Sequence, residues 1–229
     1  PNFITNYKFY EKEVILRVDW NVPYNKNTFK INDDFRIVSS MKTINYILKQ
    51  NPKRLIIISH LGRPKGNGYE VSYSWSNFLS QIEGYFKKPI KLLKDGLSEN
   101  TINELKKNSH IIYLLENVRF NKEETNFDGS QNEICNIFNK LGNIFVNDAF
   151  GCLHRNHMSI TGFNGIEKTF GFLIQNEIQG LEVINKNINH DKILAIVGGG
   201  KMDDKIILLD KLSKKLDGIY ISGGNINSI

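Results

Sequence analysis

The sequence predicts an α/β fold, a doubly wound parallel sheet covered on both faces, with the beginning of a second α/β domain. Three observations predict it. Strand-length runs are apolar without interruption, as in Leu55-Ile56-Ile57-Ile58, which suits strands buried on both faces. Segments with helical spacing alternate with these runs. The connections are short, and right-handed crossovers then give a three-layer, Rossmann-like arrangement.

The first strand is expected over 14–18, a β-branched run ending at Asp19. Asp33 and Asp34 can cap a helix over 35–49, where Ile37, Met41, Ile44 and Leu48 recur at helical spacing. A strand follows over 55–59, then a helix over 73–86 and a strand over 90–93. Ser98 can cap a helix through Lys106. Strands over 111–115 and 144–146 flank a helix over 131–141. One long helix is expected over 171–187. A strand over 192–197, a glycine run, a helix over 204–216 and a strand over 218–222 complete the chain. The expected division is 1–166 for the first domain, 167–190 for a hinge or linker helix region, and 191–229 for an incomplete second domain. A lone βαβ unit cannot bury its sheet faces, so it either packs on the first domain or belongs to a larger second one.

Composition narrows the partners. The chain has 229 residues with 40% hydrophobic content, enough for a sizeable core and not a disordered composition. No run approaches the roughly 20 apolar residues of a membrane span, and no signal segment is visible at the start. Pro1 stands where an initiator methionine would, which leaves trimming open. Cys135 and Cys152 have no metal-ligand spacing and read as free thiols of a reducing cytosol. The formal charge of +6 suits nucleic acid, a membrane surface or a phosphorylated small molecule. Only six of the thirty basic residues are Arg, and four of these lie at or just beyond expected element ends. Arg grips carboxylate and phosphate with a planar fork, so the placement hints at anion recognition.

Ligands of open parallel sheets bind beyond the carboxyl ends of the strands. There the sequence delivers Asp19 and Asn21; His60 and Arg63; Asn117 and Arg119; and Asn147, Asp148, His154, Arg155 and His157. Taken singly, each has a structural reading: Asp19 and Asn21 as turn formers, His60 as a hydrogen-bonded structural residue, Arg119 as a surface ion pair. Arg36 opposes the dipole in the first turn of its helix and is slightly costly there unless an anion is near. Their coincidence on one edge favours a basic, concave site. Gly198-Gly199-Gly200-Lys201, with Asp204 and Lys205, lies between a strand and a helix and offers a weak phosphate signal. It matches neither the P-loop nor the dinucleotide fingerprint.

Six ordered motifs carry a more specific signal: Arg17-Val18-Asp19-Trp20-Asn21-Val22-Pro23, Asp34-Phe35-Arg36-Ile37, Ser59-His60-Leu61-Gly62-Arg63-Pro64, Glu116-Asn117-Val118-Arg119-Phe120, Val146-Asn147-Asp148-Ala149-Phe150-Gly151 with His154, Arg155 and His157, and Gly198-Gly199-Gly200-Lys201 with Asp204-Lys205. Through essentially its whole length the chain resembles phosphoglycerate kinase. The resemblance implies a cytoplasmic, monomeric two-domain enzyme of glycolysis hinged by a helix, moving a phosphoryl group between 1,3-bisphosphoglycerate and ADP to give 3-phosphoglycerate and ATP. It implies Asp19 and Asn21 at the substrate's hydroxyl and carboxyl end. Arg63, Arg119 and Arg155, with His60, would take its phosphate and carboxylate, and His157 matches the second histidine of that loop. Arg36 and Lys201 would be the catalytic pair at the moving phosphoryl group. Gly199, Gly200, Lys201 and Lys205 would serve the nucleotide. Mg2+ would arrive with ATP or ADP, with no metal ligand expected in this chain.

The match has departures. Trp20 stands where the family usually has Phe, and Gly200 where Ala is usual; only the glycines of 223–229 match. The adenine pocket, the ribose-binding carboxylate and the Mg-nucleotide Asp would all fall beyond position 229, so the chain alone is expected to lack most of an ATP site. Two alternatives stay open: a truncated, inactive relative that still binds phosphoglycerate, and a basic nucleic-acid-binding protein, for which no motif speaks.

Overall fold

The computed structural model describes residues 2–186, 192–198, 210, 213–214 and 216–222. The chain divides into two compact units, Pro1–Glu177 and Ile178–Ile229.

The first unit is built on six strands: β1 (Glu13–Arg17), β2 (Arg54–Ile58), β3 (Ile90–Leu93), β4 (Ile112–Leu115), β5 (Ile144–Asn147) and β6 (Glu167–Phe170). Their order is β3-β4-β2-β1-β5-β6, and every pairing is parallel. Strand periodicity sorts the side chains into two cores. Val14, Leu16, Leu55, Ile57, Ile112, Leu114, Ile144 and Val146 pack on one face with Ile37, Ile44 and Ile47 of α1 (Phe35–Leu48). Ile15, Ile56, Ile58, Tyr113, Leu115 and Phe145 pack on the other with α3 (Glu99–Lys107) and α4 (Glu133–Lys140). That two-sided burial explains the uninterrupted apolar runs. From β1 the sheet grows to one side through β2 and to the other through β5, so the strand order reverses at the middle. A crevice forms at such a switch point, outside the carboxyl ends.

Ser98 caps α3 as expected, its hydroxyl accepting from Thr101 N at 3.3 Å. At α1 the caps differ from expectation. Asp34 occupies the cap position without a side-chain cap bond, while Asp33 Oδ1 accepts from Phe35 N at 2.8 Å. Asp34 is instead taken by the Tyr85 hydroxyl. The helix expected over 73–86 shrinks to α2 (Leu79–Glu83), preceded by 3₁₀ turns at Val71–Tyr73 and Trp75–Asn77. The cause is tertiary: buried Glu116 accepts from the Ser74 hydroxyl at 2.6 Å and from Trp75 N at 2.9 Å, which holds Ser74 in extended backbone. Strand β6 was not anticipated. It is the outermost strand, and its exposed Glu167 and Lys168 break the apolar signature. A short helix, α5 (Met158–Thr161), precedes it. The long helix expected over 171–187 is α6 (Phe172–Lys186).

Gly142 shows how tightly the edge of β1 is held. Asn143 N donates to Glu13 O at 2.9 Å, and Glu13 N donates back to Asn143 Oδ1 at 3.1 Å. A Cβ on Gly142 would lie 2.5 Å from Glu13 O and 3.0 Å from Ile15 Cγ1. Gly142→Ala must therefore move main chain. An expected cost of about 1–3 kcal/mol would register in urea as a lower midpoint with an unchanged slope.

In the second unit, β7 (Leu194–Val197) and β8 (Gly218–Ile221) pair in parallel, Leu194 opposite Gly218 and Val197 opposite Ile221. A parallel pair demands a crossover, as expected for a βαβ unit. Most of the helix expected over 204–216 lies outside the described residues, as do Gly199, Gly200, Lys201 and Lys205.

Candidate functional site

The four central strands end together, and the residues after them are tied into one surface. After β1, Trp20 N donates to Ser59 Oγ at 2.9 Å, which stitches the β1 and β2 loops. The Trp20 ring is fully buried and donates from Nε1 to Ser40 Oγ at 2.9 Å. The larger aromatic thus finds both a core and a partner for its N–H. Asn21 Oδ1 accepts from Gly62 N at 2.8 Å. Gly62 has φ +62°, and a Cβ there would meet the Tyr73 ring at 2.4 Å, so this turn needs glycine.

Asn117, after β4, splints the β2 loop. Its Oδ1 accepts from Leu61 N at 3.2 Å and from Arg119 N at 3.1 Å. Its Nδ2 donates to Leu61 O at 2.8 Å and to Tyr73 O at 3.0 Å. Arg119 then donates from Nη1 to Gly62 O at 2.6 Å. One buried amide fixes both the His60–Arg63 turn and the Arg119 backbone.

The side chains converge in two places. Arg63, Arg119, Arg155 and His157, with Pro64 and Thr125, line a cleft of about 230 Å³. Among the described residues none of these three arginines has a carboxylate within ion-pair distance. Arg155 donates from Nε to His154 Nε2 at 3.3 Å. Asp19 and Arg36 border a second hollow, of about 240 Å³, with Asp148, Gly151 and Leu173. Arg36 Nη1 lies 2.5 Å from Asp19 Oδ2. The anion that Arg36 was expected to need at its helix start is therefore present within the protein.

Behind the first cleft lies a charged network that the sequence reading left without a role. Arg17, fully buried at the end of β1, donates from Nε to Ser159 Oγ at 2.8 Å, from Nη1 to Val18 O, and from Nη2 to His60 Nδ1 at 3.1 Å. Glu124 is fully buried; it accepts from Ser159 N at 2.8 Å and Ser159 Oγ at 2.7 Å. Its Oε1 lies 4.0 Å from Arg17 Nη2 and 3.6 Å from His157 Nδ1. A charge at the end of an otherwise apolar strand must be paired, and that was the available signal for Arg17. Glu124 gave none, since Lys122-Glu123-Glu124 reads as a solvated face.

Burial and cations set the protonation states. Burial, then Arg17, Arg119, His157 and Arg155, push His60 down to about 2. Burial, then Arg119, Arg155, Arg17 and His154, lower His157 to about 4. Both rings are therefore neutral near pH 7. Burial and Arg155 also lower Arg119. Burial raises Glu124 against the opposing pull of Arg17. Asp19, His60 and Cys152 bring metal-type ligand atoms within 4.8 Å of one another. Asp19 is already bound to Arg36 and His60 to Arg17, and the surrounding arginines oppose a cation. Cys135 and Cys152 are both free and buried.

Asp148 anchors the start of α6. Its Oδ1 accepts from Leu173 N at 2.9 Å and Ile174 N at 3.4 Å. Burial raises its pKa from 3.8 to about 6, against the hydrogen bonds. The folded state thus holds this proton more tightly than the unfolded chain. Its contribution to stability is greatest below about pH 3.8 and declines as pH rises through about 6. Asp148→Asn keeps the acceptor and removes the buried charge. It is expected to raise stability at neutral pH by about 1–2 kcal/mol, and to flatten the pH dependence of urea unfolding across that window.

The phosphoglycerate kinase family profile matches residues 4–229. The chain belongs to the phosphoglycerate kinase family. It is 37% identical over 227 residues to the phosphoglycerate kinase of Kluyveromyces lactis, covering 93% of this chain and 53% of that protein. It is 38% identical over 228 residues to that of Dictyostelium discoideum, with the same coverage. The phosphoglycerate kinase structure from Coxiella burnetii superposes with a TM-score of 0.79 at 30% identity, over 100% of this chain and 56% of that one. The one from Pyrococcus horikoshii OT3 gives 0.81 at 25% identity, over 99% and 56%. The chain thus spans about half the length of the curated relatives it matches. Among the described residues no helix is long and apolar enough to cross a membrane.

Proposed function

We propose that this chain binds 3-phosphoglycerate and 1,3-bisphosphoglycerate for the phosphoglycerate kinase reaction, the reversible transfer of a phosphoryl group between the acyl phosphate and ADP. One observation carries the reading: Arg63, Arg119 and Arg155 surround a single cleft, and among the described residues none of them has a carboxylate within ion-pair distance. Three like charges around one cleft repel one another until an anion arrives, most strongly at buried Arg119, and a ligand with both a carboxylate and a phosphate suits them. His60 and His157 add neutral donors. Asp19 and Asn21 face the hydroxyl and carboxyl end, and Asp19 holds Arg36 toward the phosphoryl group that moves.

Phosphoryl transfer needs positioning and charge neutralisation more than covalent help. Arg36 supplies this from the first domain. Lys201, with Gly199, Gly200 and Lys205 toward the nucleotide, would supply it from the second; these four rest on the family resemblance. Mg2+ enters with ATP or ADP and neutralises phosphate oxygens. The free, buried thiols suit a reducing cytoplasm, and the reading is of a monomer.

Calorimetry tests the binding reading: 3-phosphoglycerate should bind the chain with salt-dependent affinity, and random-sequence DNA should not compete. Absence of binding removes the reading. A coupled assay with ATP separates an enzyme from a binder. The second reading is a phosphoglycerate-binding protein without turnover, and binding without turnover would support it.

A further inference from the structure

We propose that Arg17 is a positioning residue that locks His60 as a neutral imidazole with its one N–H at Nε2. The argument begins with donor chemistry. A guanidinium has five N–H donors, no acceptor, and keeps its proton. The contact between Arg17 Nη2 and His60 Nδ1, 3.1 Å long, therefore has one polarity: Arg17 donates and Nδ1 accepts. A neutral ring that accepts at Nδ1 carries its hydrogen at Nε2. A second proton would have to sit on Nδ1, directly against an N–H of Arg17.

Arg17 cannot turn aside to make room. Its Nε is held by Ser159 Oγ and its Nη1 by Val18 O. Ser159 is itself clamped by both oxygens of Glu124. Arg17 and Glu124 have no exposed side-chain surface. The other charged and titratable groups around the ring point the same way. Arg119 after β4, and Arg155 and His157 after β5, oppose a positive ring. Of the nearby carboxylates, Asp19 after β1 is occupied by Arg36 and Glu124 by Ser159 and Arg17, and Cys152 is held as a thiol by burial. Among the described residues Nε2 makes no hydrogen bond, so its N–H is left for a ligand. Taken with the proposed phosphoglycerate site, on which this last step rests, His60 is a fixed neutral donor to an oxyanion. It would not lose or gain its role over the range where an unperturbed histidine titrates.

Nitrogen-15 NMR of the histidine-labelled chain tests this without any ligand. Across about pH 5 to 8, His60 is expected to show an unprotonated Nδ1, a protonated Nε2 and no titration. In the double variant Arg17→Met/Glu124→Gln, which removes both charges of the pair, His60 should lose its single tautomer and show an Nδ1–H population, while burial, Arg119 and Arg155 still keep the ring neutral. Arg17→Lys keeps a cationic donor and should restore the wild-type spectrum, which a merely space-filling role for Arg17 would not require. An Nδ1–H signal in the wild-type chain, or a His60 titration within the range, overturns the proposal even where the double variant does not fold. Failure of the substrate reading looks different: the tautomer stands while 3-phosphoglycerate does not bind.

Discussion

Glu124→Ala is expected to lower the unfolding free energy of the first unit by about 3–5 kcal/mol, the usual cost of removing one partner from a buried ion pair. The loss has two sources. Arg17 stays behind with no compensating charge, and Ser159 loses the acceptors of both its N–H and its hydroxyl. The pair itself is not a large source of stability. Burial raises the Glu124 pKa in spite of Arg17, so desolvation outweighs attraction. Arg17→Met/Glu124→Gln should therefore recover most of the loss, because it removes both charges at once. Urea unfolding of the two variants checks this. A double variant as unstable as Glu124→Ala would mean that packing, not charge, dominates the site. The gap between the variants also says why the pair is there. If it adds little stability, its use lies in what it orients, and the group it orients is His60.

The sheet was legible because its strands are buried on both faces, which leaves no polar residue to blur runs such as Leu55–Ile58. β6 lacks that property: as the outermost strand it carries Glu167 and Lys168 into solvent, and periodicity does not register it. The segment 73–86 failed for another reason. Its local composition favours a helix, but Glu116, a buried carboxylate more than forty residues later, captures Ser74 and Trp75 first. At the site, His60, Arg63, Arg119 and Arg155 could be picked out because Arg is scarce and strand ends converge in an open sheet. The layer beneath them could not. Arg17 meets Ser159 across 142 residues, and no local pattern announces a pairing at that distance. Gly199, Gly200, Lys201 and Lys205 lie outside the described residues, so their placement still rests on motif alone.

Arg119→Ala is expected to weaken 3-phosphoglycerate binding by about 30- to 150-fold, the equivalent of about 2–3 kcal/mol for a charge-assisted hydrogen bond lost from a buried site. Three properties single Arg119 out from Arg63 and Arg155. It is only 8% exposed, so its field is poorly screened. Its Nη1 is tied to Gly62 O and its backbone to Asn117, so little side-chain freedom is lost when a ligand arrives. Its Nε is buried without a partner, so the guanidinium is under-solvated before a ligand arrives. Arg63 and Arg155 are exposed and already solvated, so their removal should cost about 3- to 10-fold in affinity and mainly reduce the salt dependence. Arg119→Lys keeps the charge but not the planar fork, and its loss should fall between the two. Calorimetric titration of the three alanine variants at two salt concentrations decides the matter. Equal losses from Arg63→Ala and Arg119→Ala would mean that the cleft acts as a diffuse cationic surface rather than a preorganised grip.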